Sequence, residues 1–484
     1  MSKTFTKDEV AKHNTEDSVW FVIDSKVYDV SDFIDAHPGG ESVLRQVAGQ
    51  DATVAFYNLH RHEVLTKYED LCIGTIQGEK PQPVLQREPH RLRKAMRIFN
   101  DTYITPEAQA READGKYISQ ELVDRMAEKG ILHMRLGPGK HLQGVNLMDG
   151  AVKGEEFDYF HDLIMSQEGV RSNARGFQDG QLAGMVIGLP CIMNFMRDAP
   201  RRKAIMDEVL SGKKYMCLAI TEAFAGSDVA GLRTTATKTP RQALHRQRHQ
   251  EVDHQRCFLR LLLVGVKTDK GLSVLLIERG DGVETKPIKT SYSPAAGTAY
   301  ITFDNVKVPA ENLLGEENKG IYVILSNFNH ERWTMACAGI RMCRTIVEEC
   351  LKWSHQRIVF GKRLIEQPVI RQKLAKMIAL IESNQAWLET ITYQMCNMPY
   401  KQQSQHLGGP IGLLKMSITR AAHEIADESV QIFGGRGLTQ SGMGRVVEMF
   451  HRTYKFDAIL GGAEEVLADL GVRQAMRQMP NAKL

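Results

Sequence analysis

The chain has 484 residues with 62 Lys+Arg against 58 Asp+Glu and 43% apolar residues, which suits two or three globular domains rather than one core. A net charge of +4 without a basic tail or stripe argues against nucleic-acid binding, and no apolar run reaches the ~18 to 20 residues of a membrane span. The eight cysteines form no Cys-x-x-Cys pair and the start, MSKTFTKDEVAKH, has no apolar secretory core, so free thiols in a reducing compartment are expected.

In chain order, residues 1–77 mix short apolar runs (Trp20 to Ile23, Val27 to Val30) with helical stretches and Gly-Gly punctuation, the pattern of a small α+β domain. Residues 78–90 carry Pro81, Pro83 and Pro89 and little apolar content, and read as a stiff, extended linker. Residues 91–214 have helical periodicity, as in Glu121 to Leu132. Residues 215–316 read as strands and turns, and residues 317–484 as a second helical block.

The first constellation is His37-Pro38-Gly39-Gly40, then Ala48-Gly-Gln-Asp-Ala-Thr53, then Phe56-Tyr-Asn-Leu-His60. A neutral imidazole can ligate haem iron, and two facing ones give a six-coordinate centre suited to moving electrons. By itself the first histidine reads as a loop residue before a Pro-Gly-Gly turn. The whole set resembles the cytochrome b5 family over nearly all of residues 4–77. The resemblance implies haem b, with His37 and His60, 23 residues apart, as iron ligands. His62 competes for the second place; the spacing from Phe56 favours His60.

The second constellation starts at Thr221-Glu-Ala-Phe-Ala-Gly226-Ser227, where a Gly-Ser step after a strand bares backbone N–H groups and a hydroxyl. With it stand Arg357-Ile-Val-Phe360-Gly361-Lys362 and Gln431-Ile-Phe-Gly434-Gly435 in the second helical block. Together these resemble the acyl-CoA dehydrogenase family over about residues 90–476. The resemblance implies an α domain, a β domain and a C-terminal four-helix bundle, a homotetramer, and FAD partly held by a neighbouring subunit. It places Thr221, Gly226 and Ser227 at the flavin and its chain, and Arg357, Phe360, Gln431, Gly434 and Gly435 at the ADP half.

Catalysis in such enzymes is removal of the α-proton of an acyl thioester by a carboxylate, with hydride transfer to flavin. Many members carry that base in a late Tyr-Glu-Gly-Thr motif, but the matching text here is Leu460-Gly461-Gly462-Ala463. The isovaleryl-type and long-chain-type branch takes its base from an earlier helix, which in this chain reads Asn327-Phe-Asn-His-Glu331-Arg332. Glu331 is therefore the expected base, against the ordinary fate of a Glu as a solvated helix residue. Glu464 is a weaker candidate, read as a surface or cap residue.

Residues 241–262 lack alternation and hold His245, His249 and His254 among Arg and Gln. The family typically has Lys-Lys-Trp-Ile-Thr-Asn here. Written AAG AAG TGG ATC ACC AAC after a C and read one base early, that text becomes Gln250-Glu-Val-Asp-His-Gln255. The segment is thus read as out of frame, with the flavin-contacting Trp and Thr falling at Val252 and His254 and an inner strand lost. The chain ends Ala482-Lys-Leu484, similar to a Ser-Lys-Leu peroxisomal address.

The expectation is an FAD-dependent acyl-CoA dehydrogenase of fatty-acid or branched-chain acyl oxidation. Its electron acceptor is the fused b5 haem, an electron-transferring flavoprotein or oxygen. Two rivals stand beside it. A flavin oxidase of a non-thioester would carry a late Asp, which Gly461 opposes. A b5 haem carrier with a defective flavin domain is kept alive by residues 241–262.

Overall fold

The computed structural model describes residues 3–37, 40–53, 55–56, 64–65, 68–78, 88–180, 183–238, 243–246, 248–252 and 259–478. The chain divides into two compact units, residues 1–90 and 91–484. His60, His62 and the C-terminal tripeptide lie outside the described residues.

In the first unit, β1 (Lys3–Phe5) leads into α1 (Lys7–Val10), whose start is fixed by a reciprocal capping box between Thr6 and Glu9. β2 (Trp20–Ile23) and β3 (Lys26–Asp29) form a hairpin whose two-residue turn puts both Asp24 (φ 51) and Ser25 (φ 62) in the left-handed region. That backbone matches the twist of the paired strands. After α2 (Glu41–Gln46), β4 (Cys72–Ile76) inserts between β1, which it meets in parallel, and β3. Period-two alternation splits the strands: Phe21 and Ile23 join Tyr28, Ile34 and Leu44 in one cluster, whereas Val22 joins Val10, Val27 and Ile76 in another.

The second unit opens with helices: α3 (Glu88–Phe99), α4 (Thr105–Asp114), α5 (Gln120–Glu128) and α6 (Ile131–Met134). Ser119 caps α5 by accepting the Leu122 N–H, and Gly115 ends α4 in the left-handed conformation (φ +67). A short hairpin, β5 (Asn146–Leu147) with β6 (Val152–Lys153), interrupts the helical series. It continues with α7 (Tyr159–Gly169), α8 (Arg175–Gly180), α9 (Ala183–Phe195) and α10 (Ala199–Leu210).

The β region follows. Among the described residues, β7 (Tyr215–Ala219), β8 (Thr235–Lys238), β9 (Ala243–Arg246), β11 (Leu259–Thr268), β12 (Gly271–Glu278), β15 (Lys307–Val308) and β16 (Leu313–Leu314) make one sheet. β10 (Arg248–Val252), β13 (Val283–Pro287) and β14 (Ala299–Phe303) make a second. Strand β11 serves two cores. Leu261 and Leu263 face the helical core, and Leu262, Val264 and Val266 face the second sheet.

The backbone departs from the expected loss of a strand at 241–262. Ala243–Arg246 pairs with β8 and β15, and Arg248–Val252 pairs along all of β14. Ladders are made by main-chain N–H and C=O groups, which this text supplies as well as any other without proline. Position 254 lies outside the described residues, as do 241, 242, 247 and 253–258.

The chain ends in helices: α11 (Gly320–Leu325), α12 (Phe328–Gln356), α13 (Pro368–Cys396), α14 (Tyr400–His406), α15 (Gly408–Phe433), α16 (Arg445–Ile459) and α17 (Glu464–Gln478). A small hairpin, β17 (Ile358–Val359) with β18 (Lys362–Arg363), follows α12. Helices α12, α13, α15 and α16 form the bundle, with α17 laid on α15. No helix among the described residues is long and apolar enough to cross a membrane.

Candidate active site and cofactor cradles

A cavity of about 810 Å³ opens where the first helices, the β region and the bundle meet. Thr221, Gly226 and Ser227 line it from the β side, Glu331 and Arg332 from the first turn of α12, and Gly461 from the turn between α16 and α17. The Thr221 loop is held by buried Glu222, whose carboxylate accepts the N–H groups of Arg233 (2.7 Å) and Thr234 (2.8 Å). A Cβ built on Gly226 meets nothing within 4 Å, so the loop's backbone is open to a ligand. The sequence-derived flavin-edge residues and the expected base thus share one cavity.

Glu331 is only 7% exposed, and burial pushes its carboxyl up to about 7, against the pull of Arg332 and Lys415. Opposite it, Gly461 takes φ +65. A Cβ at that position would stand 2.8 Å from Met335 Sδ and 3.5 Å from Glu331 Oε1. A side chain at 461 would therefore press on Met335 and start in direct contact with the Glu331 carboxylate. Two cations fix the glycine turn. Arg332 Nε donates to the Gly461 carbonyl (2.8 Å), and Lys415 Nζ donates to the carbonyls of Leu460 and Gly462 (2.7 Å each). Lys415 is 1% exposed, and burial lowers its ammonium to about 8.

Sequence reasoning missed Arg332, Lys415 and the buried pair Arg175–Asp457, which is bidentate with Nη2 to Oδ1 at 2.6 Å. The signal for Lys415 was a lone cation in an apolar helical run, Leu413-Leu414-Lys415-Met416. Glu464 departs from the surface reading. It is 5% exposed at the start of α17, paired with Arg420 (3.3 Å), and it does not line the cavity.

The residues expected at the ADP half lie elsewhere. Arg357 ends α12, 26 residues past Glu331 and therefore about 39 Å along the helix. Its guanidinium lies over Trp353, whose ring stacks on Phe433 and donates from Nε1 to the Ile432 carbonyl (3.2 Å), beside Gln431, Gly434 and Gly435. Phe360 is 97% exposed, and Cβ atoms on Gly434 and Gly435 meet nothing within 4 Å. These residues form a second, open cradle.

In the first unit, His37 Nδ1–H donates to the Gly40 carbonyl (3.1 Å), which fixes the tautomer and leaves Nε2 as the lone-pair donor. This arrangement fits an iron ligand. Phe33 lies edge-on to the ring at 6.2 Å.

Comparison with known proteins agrees with this layout. Residues 318–476 match the family described as acyl-CoA dehydrogenase, C-terminal domain, and residues 6–77 match the cytochrome b5-like haem/steroid binding domain. The chain is 34% identical over 411 residues to acyl-CoA dehydrogenase apdG of Emericella nidulans, covering 82% of this chain and 93% of the relative. It is 32% identical to acyl-CoA dehydrogenase AFT10-1 of Alternaria alternata, covering 84% and 95%. The three-dimensional structure of butyryl-CoA dehydrogenase from Megasphaera elsdenii shares the fold, with TM-score 0.69 at 23% identity over 81% of this chain and 98% of that one. The class is a flavin-dependent oxidoreductase joined to a haem domain. The chain belongs to the acyl-CoA dehydrogenase family, whose cofactor is FAD, and carries an N-terminal cytochrome b5-like unit, whose cofactor is haem.

Proposed function

We propose that Glu331 is the base of an α,β-dehydrogenation of an acyl-CoA thioester of the fatty or branched-chain kind, and that the electrons leave through the b5-like haem. The observation that carries the reading is a buried carboxylate poised near neutrality, facing a glycine, in the cavity that Thr221 and Ser227 line. Glu331 takes the α-proton onto a carboxylate oxygen, the β-hydrogen leaves as hydride, and the electron pair left at Cα forms the double bond. FAD, when bound, accepts that hydride. Burial keeps water from Glu331, while Arg332 and Lys415 hold back the rise in its pKa and pin the turn that makes room for it.

The distance between the two cradles supports a homo-oligomer. A separation of about 39 Å along α12 exceeds the reach of one dinucleotide, so the Arg357 cradle serves the flavin site of a second copy.

Anaerobic stopped-flow mixing with a panel of acyl-CoAs tests the reading. Flavin bleaching followed by haem reduction is expected. Bleaching with haem left ferric rejects the relay and leaves a flavoprotein or oxygen as acceptor, and no bleaching rejects the dehydrogenase. The out-of-frame reading of residues 241–262 is tested separately by sequencing the transcript, where an in-frame message for the printed residues removes it.

A further inference from the structure

Among the described residues four arginines line the cavity, and three are satisfied. Arg175 is held by Asp457 and lies 3.4 Å from Asp179, Arg332 donates to Gly461, and Arg473 pairs with Asp469 (2.8 Å). Arg135 is different. Among the described residues no carboxylate lies within 4.0 Å of it, and its sealed Nε finds no acceptor.

The backbone explains how it comes to be there. Arg135 closes α6 in right-handed conformation (φ −63), and two residues later Gly137 turns left-handed (φ +76). A Cβ at Gly137 would come within 2.8 Å of His330 Nε2, so the loop is pressed against the residue that precedes Glu331. Burial lowers the Arg135 guanidinium to about 10. Arg135, Asp179 and Glu331 all line the one cavity.

A second group repeats the signal. Gln178, 7% exposed and lining the cavity, bonds Ser172 Oγ through Nε2 (3.2 Å), and its sealed Oε1 has no partner among the described residues. Met96, Ile104, Met126, Ile131, Met165 and Val170 also line the cavity and supply apolar surface that suits methylene groups. A plain alkyl chain would cover the half-buried Arg135 guanidinium and return no hydrogen bond, a costly arrangement for a charge without a carboxylate partner.

We propose that the substrate is an acyl thioester whose chain carries an oxygen acceptor, and that Arg135 is the specificity-determining residue that binds it. This rests on the dehydrogenase reading above and narrows its substrate class.

The test is the rate of flavin bleaching in the FAD-loaded full chain with three CoA thioesters of equal length, one alkyl, one ending in a carboxylate and one bearing a keto group near its end. An oxygenated member is expected to exceed the alkyl one in kcat/KM by at least about tenfold, and the better of the two says whether the acceptor is charged or neutral. Arg135→Met is expected to bring that ratio to about one, and Arg135→Lys to restore part of it. An alkyl thioester that matches or beats both oxygenated ones overturns this inference while leaving the dehydrogenase reading standing. Bleaching by none of the three overturns both. A preference that survives Arg135→Met, or a variant that folds but loses FAD, overturns the assignment to Arg135. If neither variant folds, the wild-type ratio still decides the substrate class.

Discussion

The two ends of helix α12 are opposite kinds of site. At its start Glu331 is 7% exposed and Trp333 is fully buried; just past its end Phe360 is 97% exposed beside Gly361, where an added Cβ would meet nothing within 4 Å. The buried end is completed by its own chain, and the surrounding low-polarity wall shifts the Glu331 and Lys415 pKa values towards neutrality. The open end has the chemistry of a binding cradle and none of the enclosure. Burial within one chain tunes proton chemistry, whereas the exposed end keeps its side chains in water and their charges untuned.

The largest effect should come from the buried end. Glu331→Gln is expected to slow flavin bleaching by roughly 10² to 10⁴-fold while FAD remains bound, read by stopped-flow absorbance. Retained speed would move the base elsewhere and dissolve the contrast. At the open end, Arg357→Ala is expected to weaken FAD binding by about tenfold, measured by flavin release on dilution, with the pH midpoint of bleaching still near 7. A changed midpoint with intact FAD affinity would mean that the two ends are not separate sites.

Gly461→Ala is a smaller perturbation. It forces a left-handed alanine against Met335 Sδ and should lower stability by about 1–2 kcal/mol in thermal unfolding, with partial relief from Met335→Ala.

The smallest effect is in pH. Bleaching should rise as pH climbs towards about 7 and level above it, and Lys415→Met should move that midpoint up by about one unit, because a cation that favours the carboxylate is removed. The same shift has a stability sign. The folded pKa of Glu331 lies above the ordinary 4.5, so its contribution is fully present below about 4.5 and is lost as pH rises through about 7. Glu331→Gln should flatten that loss in a series of melts across pH, and an unchanged slope would show that the carboxyl is not buried in solution.

The domain order was legible because periodicity and punctuation are local: Pro81 and Pro83 mark the linker, and strands with period two separate two helical blocks, whereas the linker was expected to run to 90 and Glu88 to His90 instead open α3, where Pro89 is tolerated in a first turn. The haem and flavin motifs were legible for a related reason. His37 meets Gly40 three residues on, and Thr221, Gly226 and Ser227 share one loop, so short-range text encodes short-range geometry. Glu331 was singled out through the absence at Gly461, a long-range inference that resemblance supplied, and the two residues line one cavity.

Arg135, Arg175 and Lys415 were not legible. Each reads as an ordinary cation in a helical segment, and its partner, or its lack of one, sits far away in sequence: Asp457 for Arg175, and the carbonyls of Leu460 and Gly462 for Lys415. The strand pairing of 243–246 and 248–252 escaped the sequence reading too, since side-chain pattern says little about ladders that main-chain atoms build. By itself the amino-acid text determined the elements, the two-unit order and the cofactor motifs, all of which depend on neighbours a few residues apart. Tertiary structure alone decided which charges are buried, which are paired and which are left facing the cavity, because desolvation and ion pairing depend on contacts between segments that the linear order keeps apart.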